Sequence, residues 1–298
     1  MILSAAMVSP GIRRHAGRLG FAGLVLIYAL LVSIALGSLA TNDELSLGRN
    51  PVANLVKTVG EFAHPSFLDV WFGNPQLEYR SDDGALLRVE DRRVVEANFL
   101  RQLARATWTT FVIGTLGSLL GAIFALPLGL LTARNLGAPS YLAFPAKAIL
   151  DASRASHTLV FGLVLVGIVG LGPTAGILAI AFHSMGTYGK LYAEAVETLD
   201  MRAVEAVRAV GAGTLQVFFN GVWPAVLPQF VSQHLYIWEF NIRDSTVLGL
   251  IGAGGLGLLI TEATALFQWG RLATLLMVVV ILVSTFDAVS RRIRSALL

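Results

Sequence analysis

The stretch 249-GLIGAGGLGLLI-260 decides how this chain folds, because its glycines fit two incompatible structures. Their spacing is G-x-G-x-x-G, which in dinucleotide-binding domains lets a loop approach a pyrophosphate. Such a loop needs a preceding strand, a following helix and an acidic residue about 20 positions later. The residue at that distance from Gly252 is Leu272, and the segment before the glycines is long and apolar. A break between helices at a membrane surface is therefore predicted instead. The residues assigned to this helix break and outer gate are Gly252, Gly254, Gly255 and Gly257.

The composition indicates an integral membrane protein. Of the 298 residues, 55% are hydrophobic and only 14% are charged, and the mean hydropathy is +0.70. A soluble domain usually carries about a quarter charged residues, so this chain has too little charge to cover a core in water. The absence of cysteine excludes disulfides, thiolate metal sites and cysteine catalysis. The net charge of +3 comes from scattered basic residues, which favours membrane lipid over nucleic acid as a partner.

Six apolar runs approach or exceed the length of about 20 residues that crosses a bilayer. They lie at 19–40, 107–133, 142–170, 174–188, 225–250 and 272–289. The first run is too long for a cleaved signal peptide, so we expect a membrane anchor there. Arginines precede the first run and follow the last, which places both termini in the cytoplasm. These are Arg13, Arg14 and Arg18 at one end and Arg291, Arg292 and Arg294 at the other. The expected fold class is an all-α integral membrane protein with about six transmembrane helices.

The domain organisation follows from these runs. The expected parts are a cytoplasmic N-terminus at 1–18, a first transmembrane helix at 19–40, an extracytoplasmic segment at 41–100 and a core at 101–298, whose cytoplasmic loop is 193–224. Within the extracytoplasmic segment, 74-NPQLEYRSDDGALLRVEDRR-93 is centred on a turn. We expect a solvated surface loop there, with a β-hairpin as the alternative.

The most specific stretch is cytoplasmic, 198-TLDMRAVEAVRAVGAGTLQVFFNGVWPAVLP-228. Asp200 predicts the N-cap of a short helix that runs through Val210, and Gly211 is placed to end it. The helix is slim because alanine recurs at every third position, at Ala203, Ala206 and Ala209. Such a helix, held off the membrane by flanking spans, suits insertion into a groove of another protein. The alternative is an amphipathic helix that lies on the bilayer surface.

This stretch resembles the EAA loop of bacterial ABC-importer permeases, written EAA, three residues, G, nine residues, I-x-LP. Glu205-Ala206-Val207, Gly211 and Pro224 stand in that register. Two positions depart from it, since Gly221 replaces isoleucine and Trp223 replaces leucine. In the family this loop docks on the ATPase subunit. The resemblance therefore implies ATPase-coupling roles for Glu205, Ala206, Val207, Arg208, Gly211 and Pro224.

A narrower resemblance concerns 239-EFNIRDSTVLGLIGAGGLG-257, which is similar to the phosphonate-importer permeases with their E-x-N-V-R-x-A-T-V-L-G and G-A-G-G-I-G elements. The segments 122–136 and 182–200 look like the same subfamily. The resemblance implies a type I ABC-importer permease fold in a bacterial inner membrane. It also implies ATPase subunits, a second permease subunit, identical or paralogous, and an extracytoplasmic substrate-binding protein. Methionine-type importers share the G-A-G-G-x-G element, so amino-acid or phosphite cargo is the alternative to phosphonate.

The chain departs from the subfamily at the start of its third span. The usual R-x-I-P-E is here 154-RASHT-158, which puts His157 in place of proline and Thr158 in place of glutamate. In the fifth span, Asp244 follows Arg243 where a small residue is commoner. Both departures are expected to bear on the ligand or the gate.

Ionisable and polar residues within the spans are candidates for the translocation path, because a charge at membrane depth costs about 2.5–3.5 kcal/mol and so faces partners or water. They are Arg154, His157, Glu239, Asn241, Arg243 and Asp244. In one interpretation Arg154 and His157 share a helix face, and Arg154 and Arg243 donate to a passing oxyanion. In the other, Glu239 pairs with Arg243, or Asp244 with Arg154, as buried structural ion pairs. His183 and Glu262 are assigned to the membrane interface.

A membrane-embedded enzyme is the remaining alternative from a different class. It requires a catalytic constellation within the spans, but the sequence contains neither HExxH nor G-x-S-x-G, and its five histidines are far apart. It also lacks the G-x-x-x-x-G-K-[ST] loop with which a chain binds ATP. We therefore expect no catalytic residue, no metal and no cofactor, and ATP hydrolysis in a separate chain.

Overall fold

The computed structural model describes residues 10–41, 50–72, 76–80 and 86–297, and these residues are mostly helical. The helices are α1 (Pro10–Thr41), α2 (Pro51–Phe62), α3 (Asp69–Phe72), α4 (Arg92–Thr132), α5 (Ser140–Ala155), α6 (Thr158–Val169), α7 (Pro173–Glu197), α8 (Met201–Ala209), α9 (Thr214–Val217), α10 (Trp223–Leu248), α11 (Leu256–Ala265) and α12 (Trp269–Leu297). The strands are β1 (Gln76–Arg80) and β2 (Leu86–Asp91). A π-helical stretch, Phe218–Val222, joins α9 to α10.

The chain divides into two compact units, residues 1–57 and 58–298. The first contains α1, whose apolar part is Gly23–Leu39, and the beginning of α2. Large apolar side chains along that part of α1 are exposed, as expected of a helix whose surroundings are lipid.

Within the second unit, α4 and α12 are each long and apolar enough to cross a membrane. Two bent pairs bring the number to four if each pair is one span: α5 with α6, and the stretch Thr214–Ile251 with α11. The predicted spans at 107–133, 142–170, 225–250 and 272–289 fall on these elements. The run at 174–188 falls on α7, which is 25 residues long and carries polar side chains along one face.

The turn-centred segment after the first unit is a hairpin rather than a loop. Strand β1 pairs with β2 in antiparallel register, with Gln76 opposite Asp91 and Leu77 opposite Glu90. The preference for a solvated loop is therefore wrong over these strands. The pairing satisfies the backbone groups on the facing edges of the two strands, which a solvated loop would leave to water.

Two ion pairs fasten the chain around the hairpin to the core. Asp69, which is buried, pairs with Arg92 at the first turn of α4. One turn later, Glu96 is buried and accepts from Arg271 of α12 at 3.3 Å. The beginning of α4 is thereby held between α3 and α12.

Helix α4 lies at the centre of the core and packs along α7 through small residues. A Cβ added to Gly117 would lie 2.7 Å from the Cβ of Ile180, and one added to Gly121 would lie 3.0 Å from the carbonyl oxygen of Ala181. Ser118, on the same face, is fully buried. Small residues on this face of α4 therefore let α7 approach closely.

The third span is broken, which the sequence did not predict. Helix α5 ends at Ala155, α6 begins at Thr158, and the two axes differ by 95°. Arg154 is in the last turn of α5, whereas His157 is the N-cap of α6 and accepts from the Leu159 amide at 3.3 Å. The expectation that Arg154 and His157 share one helix face is therefore wrong, because no continuous helix joins them.

The glycine stretch forms a second break, between α10 and α11. Gly252, Gly254 and Gly255 have φ values of +94°, +83° and +73°, which a residue with a side chain rarely adopts. Helix α11 then begins at Leu256, whose amide donates to the hydroxyl of Thr110 on α4 at 2.8 Å. Gly257 lies against the backbone of α10, where a Cβ would overlap the Thr246 carbonyl oxygen.

Candidate functional site

Helix α8, the short helix predicted after Asp200, has the predicted ends. The carboxylate of Asp200 accepts from the Arg202 amide at 3.0 Å and caps α8. The helix runs to Ala209, and Gly211 follows it with φ of +84° while its amide donates to the Arg208 carbonyl at 3.0 Å. These two devices fix where the helix starts and stops.

Helix α8 has one buried face and one exposed face. Val204 is 1% exposed and Val207 is half-buried, and both pack against the π-helical stretch before α10. Glu205, Ala206 and Arg208 are exposed. The buried face anchors the helix to the core, so the exposed face is free to meet another surface.

Both departures in the EAA-like stretch lie at packed positions. A Cβ at Gly221 would lie 3.4 Å from the Cα of Val204, an ordinary contact distance, so Gly221 lies where the π-helical stretch meets α8. Trp223 begins α10, and its ring centroid is 6.1 Å from those of both Phe218 and Phe230. Pro224 follows as the second residue of α10, directly after the π-helical stretch, and it has no amide hydrogen to donate.

Glu239 and Arg243 form the expected pair one turn apart on α10, at 3.8 Å. The other oxygen of Glu239 lies 3.8 Å from Arg294 of α12, whose guanidinium also covers the ring of Tyr236. Glu239 therefore pairs with two arginines, Arg243 on its own helix and Arg294 on α12, and the second pair joins α10 to α12. This geometry agrees with the interpretation of Glu239 and Arg243 as a structural ion pair.

Arg154 pairs with Asp151 on its own helix at 3.4 Å, so the alternative pair of Arg154 with Asp244 is wrong. Asp244 instead accepts from the hydroxyl of Thr158 at 2.9 Å, and Thr158 is 1% exposed. Two of the three positions at which the chain departs from the phosphonate-permease pattern, Thr158 and Asp244, are therefore in contact. The carboxylate missing from the start of α6 is supplied by α10.

An accessible polar stripe runs down α7. Its members are spaced four, three, four and three residues apart, which places them on one face of a helix. They are His183, Thr187, Lys190, Glu194 and Glu197. The neighbouring residues Tyr188, Tyr192 and Val196 are buried in the core. By contrast, the exposed residues of α6 include Val160, Leu163 and Ile168, as expected of a lipid-facing helix.

The C-terminal part of this stripe, from Lys190 to Glu197, borders a charged cavity of about 430 Å³ between α4, α5 and α7. The charged residues that line it are Arg134, Lys147, Asp151, Arg154, Lys190, Glu194 and Glu197. Lys190 pairs with Glu194 at 3.5 Å, and Arg134 lies 4.0 Å from Glu197. Charges at this density do not face hydrocarbon, so the cavity opens to water or to protein.

Comparison with known proteins fits this geometry. Residues 125–297 match the family described as binding-protein-dependent transport system inner membrane component, which is more than half of the chain. The chain belongs to this family. It is the membrane component of a transport system, and the matched region contains α5 to α12, including α8 and both helix breaks.

Two relatives of this permease carry transport names. It is 38% identical over 195 residues to a phosphite transport system permease protein of Stutzerimonas stutzeri, covering 65% of this chain and 70% of that protein. It is 36% identical over 208 residues to a phosphate-import permease protein of Mycolicibacterium smegmatis, covering 69% of this chain but only 39% of that protein.

A solved structure shares the fold. An inward-facing structure of the MetNI methionine ABC transporter contains a chain that superposes with a TM-score of 0.61 at 23% identity, covering 67% of the permease and 98% of that chain. The expected all-helical permease fold is thus confirmed for the core, with the hairpin as an addition to it.

Sequence reasoning missed part of the site. The sequence predicts no role for Thr187, Lys190 or Tyr236, and it predicts a position at the membrane interface for His183. His183 lies on the polar stripe, and its Nδ1 is 2.9 Å from the Ser156 carbonyl oxygen at the break of the third span. The spacing of the polar residues along 183–197 was the available signal.

Proposed function

We propose that the permease forms the translocation path of an ATP-driven importer for a phosphonate or a related phosphorus oxyanion, and that separate subunits hydrolyse the ATP. The observation that carries the proposal is the arrangement of α8: one face is fixed in the core and the other is exposed between two spans. The cargo is supported by the phosphite and phosphate permeases that the chain resembles.

Coupling follows from what α8 touches. Val204 packs on the π-helical stretch at Gly221, and that stretch continues directly into α10. A π-helical stretch has irregular backbone hydrogen bonding and is a common place for a helix to flex. Closure of an ATPase dimer would move α8, and α8 would transmit the movement to α10. Helix α10 carries Glu239 and Asn241, and it ends shortly before the glycines of the outer break.

The path itself is proposed to follow α7. Four basic residues and three carboxylates line the charged cavity at its cytoplasmic end, so the cavity carries one net positive charge and would weakly favour an anion that leaves the membrane. Gly252, Gly254, Gly255 and Gly257 would form the outer gate. A second permease subunit, identical or paralogous, would complete the walls of the path.

The remaining partners and the orientation belong to the same proposal. Both termini would lie in the cytoplasm of a bacterial cell, and the hairpin within 41–100 would lie on the outer side. An extracytoplasmic binding protein would deliver the cargo to that side. Ion pairs that hold this region on α4 and α12 support a role as a fixed platform.

The docking part of the proposal is tested by charge reversal on α8. The permease is purified in mild detergent from its native membrane, and co-purifying ATPase subunit and ATP hydrolysis are measured. Glu205→Lys should lose both, because Glu205 lies on the exposed face of α8. The matched control is Glu262→Lys, the same charge reversal at an exposed site on α11.

Retention of the ATPase by Glu205→Lys, or equal loss in Glu262→Lys, would contradict docking through α8. Wild-type permease that purifies alone and without ATP hydrolysis would argue against the importer and favour an embedded enzyme.

A further inference from the structure

A second, smaller cavity lies between α7 and α10, beside the N-terminal part of the polar stripe on α7. Its volume is about 200 Å³, which is room for about seven waters at ~30 Å³ each and is below the size of a drug-binding pocket. The residues that line it are His183, Ser184, Thr187, Tyr236, Ile237, Phe240 and Asn241. A tetrahedral phosphorus oxyanion with a small substituent fits such a volume.

The cavity contains hydrogen-bond donors that no protein group uses. Asn241 is 1% exposed; its Oδ1 accepts from Ser184 at 3.0 Å, but its Nδ2 has no partner. The hydroxyls of Thr187, which is half-buried, and of Tyr236, which is 57% exposed, make no hydrogen bond to protein within the described residues, so of these three groups the Asn241 amide is the buried donor without a partner. A buried donor without a partner is costly, so a ligand or water that accepts from it is favoured.

The lining is mostly apolar, with polar groups at a few positions, and carries no carboxylate, ammonium or guanidinium group. Charges lie just outside it: Arg294 covers the ring of Tyr236 and pairs with Glu239, and Lys190 follows Thr187 one turn along α7 and pairs with Glu194. Neutral donors bind an oxyanion without the permanent pairing that a guanidinium would give. A transport site must bind strongly enough to admit its cargo and weakly enough to release it.

His183 closes the side of the cavity nearest the broken span. Its Nδ1 lies 2.9 Å from the Ser156 carbonyl oxygen, and because a carbonyl only accepts, Nδ1 carries the hydrogen. The ring orientation is therefore fixed by the backbone at the break between α5 and α6. A movement of that break would move one wall of the cavity.

We propose, on the basis of the function proposed above, that this cavity is a transit site in which Asn241, Thr187 and Tyr236 hold a single phosphorus oxyanion by neutral hydrogen bonds. From there the anion passes along α7 to Lys190 and into the charged cavity. Arg154 and Arg243 are not its ligands, since neither residue lines this cavity.

The test compares Thr187→Val, which keeps the shape of the side chain and removes its hydroxyl, with Thr187→Ser, which keeps the hydroxyl. The complete complex of permease, ATPase and binding protein is reconstituted in vesicles, and phosphite uptake and ATP hydrolysis are measured together. A hydrogen bond to a charged group corresponds to about 10-fold to 100-fold in binding. Thr187→Val should therefore lower the phosphite moved per ATP by about 10-fold or more, while Thr187→Ser stays near wild type.

Asn241→Leu is the second variant and should lower the same ratio. Unchanged phosphite per ATP in Thr187→Val and Asn241→Leu would overturn the transit site. Equal losses in Thr187→Val and Thr187→Ser would also overturn it, because the hydroxyl would then be irrelevant. A wild-type complex that moves no phosphite or methylphosphonate would instead overturn the proposed function itself.

Discussion

Replacing Gly211 with serine tests whether the shape of the loop after α8 matters for docking. Gly211 has φ of +84°, and no atom lies within 4 Å of the position that a Cβ would occupy. The new side chain therefore meets no neighbour, and its cost is the strain of a left-handed backbone, about 1–2 kcal/mol.

Gly213 provides a matched control two residues further on. Its φ is −68°, and an added Cβ would have only the Gln216 Oε1 nearby, at 4.0 Å. It is also the N-cap of α9, a position at which serine is among the preferred residues. Gly213→Ser should therefore leave the loop as stable as it is or slightly more so.

The assay is the affinity of the detergent-purified permease for the ATPase subunit that co-purifies with it, measured on an immobilised permease. If docking requires the observed end of α8, a penalty of about 1–2 kcal/mol weakens binding by about 5-fold to 30-fold in Gly211→Ser. Gly213→Ser should bind like wild type. Wild-type affinity in Gly211→Ser, or the same loss in both variants, would refute the reasoning.

Two further predictions concern stability and are read from thermal unfolding in detergent. Asp244→Ala leaves the buried Thr158 hydroxyl without its acceptor and should cost about 1–3 kcal/mol, whereas adding Thr158→Val removes that hydroxyl and should recover part of the loss; no recovery would argue against a stabilising hydrogen bond between these positions. Gly255→Ala should lower the midpoint, because φ is +73° and a Cβ would overlap the Thr110 hydroxyl. Gly167→Ala is the control, because a Cβ added at this position in α6 would have no atom within 4 Å, and it should leave the unfolding midpoint unchanged or raise it. Equal effects of the two alanine substitutions would contradict the role assigned to backbone strain at Gly255.

Helix α8 could be predicted because its sequence signals are local. Asp200 at the cap and Gly211 at the end act within a few residues of the helix they bound, and the observed helix lies between them. The small-residue face of α4 was predictable for a similar reason, since Gly117, Ser118 and Gly121 fall on one side of a helix whatever packs there. Which helix packs there depends on tertiary structure, and it is α7.

The break in the third span could not be predicted, because neither Ser156 nor His157 is a residue that usually ends a helix. The bend depends on contacts with other elements, such as the hydroxyl of Ser153, which donates to the Phe182 carbonyl. The contact of Thr158 with Asp244 joins residues 86 positions apart, so each was visible in the sequence only as an isolated departure.

The ionisable residues show a mixed outcome. The pair of Glu239 and Arg243 follows from helical spacing and is present, but its second cation, Arg294, comes from α12 and has no local signal. The roles of Arg154, His157, Asn241 and the outer glycines in transport stay predictions.

The most direct test of the central claim is the uptake of phosphite and methylphosphonate into vesicles that contain the permease, its ATPase subunit and the loaded binding protein. The account predicts that one or both oxyanions accumulate only when ATP is present, and that Glu205→Lys abolishes the accumulation. Accumulation that does not depend on ATP, or ATP-driven uptake of methionine with none of either oxyanion, would contradict it.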